Sequence, residues 1–140
     1  RVVLRLATAL GAYCERVGGL ETMISPADIS WSDDTLVQPD VFVVPRAESA
    51  SGGWNAVQTL HLVVEVLSPG TARHDRFTKR RLYQERGIPT IWLVDLEAAS
   101  VEVWTPTDLR PTIVRGALTW QAEDATHALR IEIADLLRTD

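Results

Sequence analysis

The stretch from residue 60 to residue 96 constrains this chain more than any other. Leu60 to Leu67 is a near-continuous apolar run, the pattern of a strand covered on both faces. Ser68-Pro69-Gly70-Thr71 stops it, a helix is expected over about residues 72 to 86, and Gly87 with Pro89 ends that helix ahead of a second strand at Ile91 to Leu96. Strand, helix and strand in that order make a crossover, so the two strands should be parallel with a right-handed connection. A short reversal at 96 to 100 leads into Val101, Val103 and Trp104, which adds an antiparallel neighbour. The expected class is therefore α/β with a mixed β-sheet core.

Ahead of this unit, Val3, Leu6, Ala7, Leu10, Tyr13, Cys14 and Val17 follow helical spacing, so residues 2 to 17 read as an amphipathic flanking helix ended by Gly18-Gly19. Cys14 lies on the apolar stripe and reads as a small core hydrophobe. Ile24, Ile29 and Trp31, a turn at Ser32-Asp33-Asp34, and Val37 to Val44 predict a hairpin, with the paired aspartates bonding their own turn. Residues 46 to 57 read as a polar loop, and within it Trp54 is a candidate for contact with a base or a partner. The last thirty residues give weak strand signals at 112 to 114 and 118 to 121, and an ambiguous one at 131 to 137.

With 140 residues, 46% hydrophobic and 24% charged, the expectation is one domain over residues 1–140 with a core of its own. The chain opens at Arg1 straight into the helical pattern, so a further N-terminal segment is expected upstream. No apolar run is long enough to span a bilayer, and a lone cysteine fits a reducing compartment, which points to a cytoplasmic protein. The net charge of −5 argues against a general nucleic-acid binder. Residues 73 to 86 are the exception: Arg73, Arg76, Lys79, Arg80, Arg81 and Arg86 face only Asp75 and Glu85, for a local net charge of +4. From charge alone this is a solvated helix face.

Most acids here have ordinary explanations, but Asp40 and Glu65 do not. Asp40 follows Pro39 at the entry to Val41-Phe42-Val43-Val44, and Glu65 interrupts the most apolar strand. A carboxylate in such company costs several kcal/mol unless it is paired or binds a metal. A structural ion pair, for instance with a nearby arginine, would satisfy Glu65. Alternatively, two carboxylates on neighbouring strands repel each other, and a hard divalent cation such as Mg²⁺ or Mn²⁺ offsets that repulsion. The three histidines lack zinc spacing, and His61 sits four residues from Glu65, about 13 Å along a strand, too far to share an ion. Lys79 is the one lysine against thirteen arginines, which hints at a task specific to an amine; an i, i+4 pair with Asp75 is the plainer account. Asp75, Lys79 and Tyr83 share one helical face.

Gln38-Pro39-Asp40, Val63-Val64-Glu65-Val66-Leu67-Ser68-Pro69, Asp75 with Lys79 and Tyr83, Gly87-Ile88-Pro89, and Trp92-Leu93-Val94-Asp95 before Val101-Glu102-Val103 together resemble the Uma2 family, also called DUF820. Its members are endonucleases of the PD-(D/E)XK, restriction-endonuclease-like superfamily. The resemblance runs from the first helix to residue 104. It implies a restriction-endonuclease-like fold and a Mg²⁺- or Mn²⁺-dependent hydrolase acting on phosphodiester bonds of DNA. Asp40, Glu65 and the Val66 carbonyl would bind the metal, and Asp40, Glu65 and Lys79 would be catalytic. The superfamily pattern places a lysine two residues after the acid, where this chain has Leu67, and the resemblance transfers that amine to Lys79.

Gln38 and Asp75 are accessory candidates beside them. Arg73, Arg76, Arg80 and Arg86 are expected to contact nucleic-acid phosphates, and a homodimer would suit cutting of two strands. Neither a membrane nor a nucleotide cofactor is expected. Asp95 reads as a turn aspartate at the end of its strand. The competing expectation is a non-catalytic module, binding nucleic acid or protein on a nuclease scaffold.

Overall fold

A computed structural model describes residues 1–24, 29–32, 35–52, 59–68 and 73–139, of which 29–32, 35–36, 50–52 and 73–75 are described by their backbone only. The expected turn at Asp33-Asp34 and the Trp54 site lie outside the described residues.

Helix α1, Val2–Val17, buries Leu6, Leu10, Tyr13 and Cys14 and stops at Gly18, whose φ of 82° suits a residue without a Cβ. Cys14 is buried and contacts the Thr22 hydroxyl, and burial pushes its thiol pKa up, away from nucleophile chemistry. Strands β1 (Leu20–Ile24), β4 (Val41–Pro45), β5 (Leu62–Leu67), β6 (Thr90–Asp95), β7 (Ser100–Trp104) and β8 (Thr112–Val114) form one six-stranded sheet in the order β1-β4-β5-β6-β7-β8. Only β5 and β6 run parallel in it. Helix α3, Arg73–Glu85, makes the crossover between them.

Two sequence expectations are corrected. Val37 to Val44 is not one strand: β3 (Thr35–Val37) pairs with β2 (Ile29–Ser32) in a separate two-stranded sheet, and β4 begins only at Val41. Pro39 lacks the N–H that an uninterrupted ladder needs, so the chain breaks at Gln38-Pro39-Asp40. The expected loop from residue 46 begins as helix α2, Arg46–Gly52, where Arg46, Ala47 and Glu48 favour helix more than the following serines and glycines suggest. At the C-terminus, β9 (Ala117–Trp120) pairs with β10 (Leu129–Glu132), and Ile133–Leu137 is a short helix, α4.

The sheet separates two apolar layers. Val41, Val43, Leu62, Val64, Trp92 and Val94 face α1 and the C-terminal elements. Phe42, Val44, Val63, Leu67, Ile91 and Leu93 belong to the other layer, with Tyr83 of α3. By strand alternation Glu65 shares the face of Val63 and Leu67, beneath α3.

Candidate active site

Register brings the two acids together. Val41 pairs with Val64 across antiparallel β4 and β5, and one step beyond, Asp40 stands opposite Glu65. Because the ladder stops at Val41, Asp40 is available for another bond: its Oδ2 accepts the Val66 N–H at 2.7 Å. The bond occupies one carboxylate oxygen and fixes Asp40 beside the strand that carries Glu65.

Glu65 is 5% exposed. Its Oε1 lies 3.3 Å from the Lys79 amine, and its Oε2 accepts the Tyr83 hydroxyl at 3.0 Å. Lys79 and Tyr83 are one turn apart on α3, so a single helical face supplies both partners. Desolvation raises the Glu65 pKa from 4.5 to about 7; the Asp40 charge adds to the rise, while Lys79 and the Tyr83 hydrogen bond oppose it. Burial, then the Glu65 charge, raises the Tyr83 pKa, so its hydroxyl keeps its proton and stays a donor.

Asp40 and Glu65 offer only oxygen donors, as would the main-chain carbonyl of Val66 that the family resemblance adds to them. Such hard donors suit Mg²⁺ or Mn²⁺, and a buried carboxylate held half-protonated near pH 7 is relieved by a cation. Among the described residues no group of three or more His, Cys, Asp or Glu side chains is arranged to hold a metal ion.

The basic residues divide. The Arg76 guanidinium lies 2.5 Å from Glu102 Oε2 and 3.8 Å from Asp95 Oδ2. Arg80 donates to Gln84 and lies over the Trp104 ring at 4.2 Å and the Phe77 ring at 4.6 Å. Arg86 is at the far end of α3, where it lines a cavity of about 400 Å³ with His61 and Glu123. The cavity opens at the start of β5, roughly 13 Å along the strand from Glu65. Arg73 and Asp75 lie in the first turn of α3, and their side chains are outside the described residues. Gln38 is exposed just before Asp40. Asp95 accepts the Ala98 N–H at 3.0 Å, as a turn aspartate does.

Glu102 has a role that sequence reasoning missed. Leu93 pairs with Glu65 on one side and Glu102 on the other, so Asp40, Glu65, Leu93 and Glu102 form one row across the sheet under α3. Besides Arg76, Glu102 accepts the Trp104 indole N–H at 3.0 Å. Its alternation in Val101-Glu102-Val103-Trp104 was the available signal.

The order of strands, the crossover helix and the paired acids at the antiparallel β4–β5 edge of the parallel pair define a restriction-endonuclease-like α/β protein. The sequence matches the Uma2 family, described as "Putative restriction endonuclease", over residues 1–134, and the chain belongs to that family. A solved structure from Anabaena variabilis ATCC 29413, described as "a putative nuclease belonging to DUF820", superposes with a TM-score of 0.77 at 18% identity. The superposition covers 97% of this chain and 78% of that one, and it establishes likeness of fold. No curated protein matches the sequence.

Proposed function

We propose that this chain is a Mg²⁺- or Mn²⁺-dependent endonuclease that hydrolyses phosphodiester bonds of DNA. The observation that supports it most is Glu65, a buried carboxylate whose neighbours are an amine, a hydroxyl and a second carboxylate rather than a single neutralising arginine. Asp40, Glu65 and the Val66 carbonyl are the groups that would hold the ion, which would supply Lewis-acid polarisation of the scissile phosphate. Lys79, with a side chain 42% exposed, presents its amine from the edge of the site to the charge that develops on the phosphate. Asp40 and Glu65 also repel the phosphate, so the amine orients it as well as stabilising it.

Phosphate contacts along the duplex fall to Arg73, Arg76, Arg80 and Arg86. Glu102 and Asp95 offset the Arg76 charge, which makes its share of the affinity small. Gln38 shares side-chain parity with Asp40 and is the accessory candidate for contact with the same water or phosphate, with Asp75 a second accessory candidate.

Plasmid DNA incubated with the protein and Mg²⁺ or Mn²⁺ should be nicked or linearised. EDTA and Glu65→Ala should each abolish cleavage. DNA retained on the protein without any cleavage would favour a non-catalytic binding module instead.

A further inference from the structure

We infer that Tyr83 is the positioning residue that fixes the Glu65 carboxylate for divalent-ion binding, acting through its hydroxyl without touching ion or phosphate. The inference rests on the metal-dependent nuclease reading and assigns a task within it.

Lys79 and Tyr83 both reach Glu65, but they are unlike as supports. Lys79 is a flexible side chain, 42% exposed, at 3.3 Å. Tyr83 is 0% exposed, its ring lies in the apolar layer with Val63 and Leu93, and its hydroxyl reaches Oε2 at 3.0 Å. A buried ring has few rotamers to lose and no water to compete for its proton.

The backbone of Tyr83 is fixed as well. Gly87, at φ 72°, closes α3: the Ile88 N–H donates to the Tyr83 carbonyl and the Gly87 N–H to the Gln84 carbonyl. These are the two bonds of a Schellman motif, and Ile88 and Tyr83 make up its apolar contact in one cluster. Helix end, ring packing and hydroxyl thus converge on one oxygen of Glu65. A donor held there favours the ionised carboxylate, the form a cation needs, and stops it rotating toward the sheet interior.

Tyr83→Phe removes the hydroxyl and keeps the ring. Mn²⁺ binding to the full chain, measured by calorimetry with Glu65→Ala as the blank, should weaken 10- to 100-fold, about the usual cost of losing an outer partner of a metal ligand. The Mn²⁺ concentration giving half-maximal cleavage should rise by the same factor, with the rate at saturating Mn²⁺ kept within a few-fold. A merely structural tyrosine would move neither.

A second variant, 3-fluorotyrosine placed at position 83, keeps the shape and strengthens the donor, and it should bind Mn²⁺ at least as tightly as the wild type. Unchanged Mn²⁺ affinity in Tyr83→Phe, or weaker binding by the fluorotyrosine protein, would overturn the assignment while leaving the nuclease reading intact. Absence of Mn²⁺ binding in the wild type would overturn both.

Discussion

Replacing Glu65 by glutamine is expected to stabilise the metal-free protein at alkaline pH while destroying its activity. In the fold the Glu65 pKa is raised from 4.5 to about 7, chiefly by burial. Between those values the unfolded chain is ionised while the folded one holds its proton, so stability falls as pH rises. The contribution is fully present below pH 4.5 and lost above about 7. The interval corresponds to about 3 kcal/mol. Glutamine keeps an acceptor for Tyr83 and carries no charge, so it retains that contribution at every pH.

Glu65→Gln should therefore match the wild type near pH 4 and exceed it by about 3 kcal/mol at pH 8, or roughly 10 °C in melting temperature for a domain of this size. The assay is thermal unfolding of both proteins in EDTA from pH 4 to 8.5. Other carboxylates titrate in this range, so the informative quantity is the difference between the two proteins at each pH. A difference that does not grow with pH, or a mutant less stable than the wild type at pH 8, would show that Glu65 is not buried at an energetic cost when ionised. Added Mn²⁺ should stabilise the wild type, by about 2.7 kcal/mol at a hundredfold excess over Kd, and leave the mutant unchanged.

Other substitutions test the neighbouring residues. Lys79→Arg should fold normally yet lose about 10² to 10³ in cleavage rate, because a planar guanidinium cannot replace a compact amine at 3.3 Å from Glu65; near-normal cleavage would reduce Lys79 to a surface cation. Arg76→Ala should cost about 1 kcal/mol in denaturant unfolding, from its part-buried pair with Glu102, with little effect on the salt dependence of DNA binding. Neutralising Arg80 and Arg86 together should reduce the slope of log affinity against log salt by about 2 if both contact phosphate. Mn²⁺ affinity should rise with pH and level off above about 7, because the ion takes the ionised form of Glu65.

The crossover was legible because a charge-poor run of β-branched residues, a proline-glycine stop and a glycine-ended helix permit few other arrangements. Glu65 stood out for the same reason: within Leu62–Leu67 it is the only group that costs energy to bury. Lys79 was legible as its companion through the family resemblance, whereas the Tyr83 hydroxyl bond was not, since a helix fixes which residues share a face but not how that face is rotated against a sheet. The Tyr83 hydroxyl and the Lys79 amine meet Glu65 only because packing turns that face inward. The pair between Arg76 and Glu102 joins residues 26 apart across two strands, and nothing local foretells it. The break at Pro39 was readable from its missing N–H, yet the apolar residues on either side suggested continuity. Helix α2 was obscured because its serines and glycine carry turn chemistry even where the preceding residues favour helix.

Whether Asp40 and Glu65 hold one divalent ion can be seen in crystals soaked in Mn²⁺ and measured for anomalous scattering. A single strong peak is expected about 2.0 to 2.3 Å from one oxygen of each carboxylate and from the Val66 carbonyl, lost in Glu65→Ala. A peak confined to other surface carboxylates, or no peak between Asp40 and Glu65 at millimolar Mn²⁺, would contradict a shared ion site.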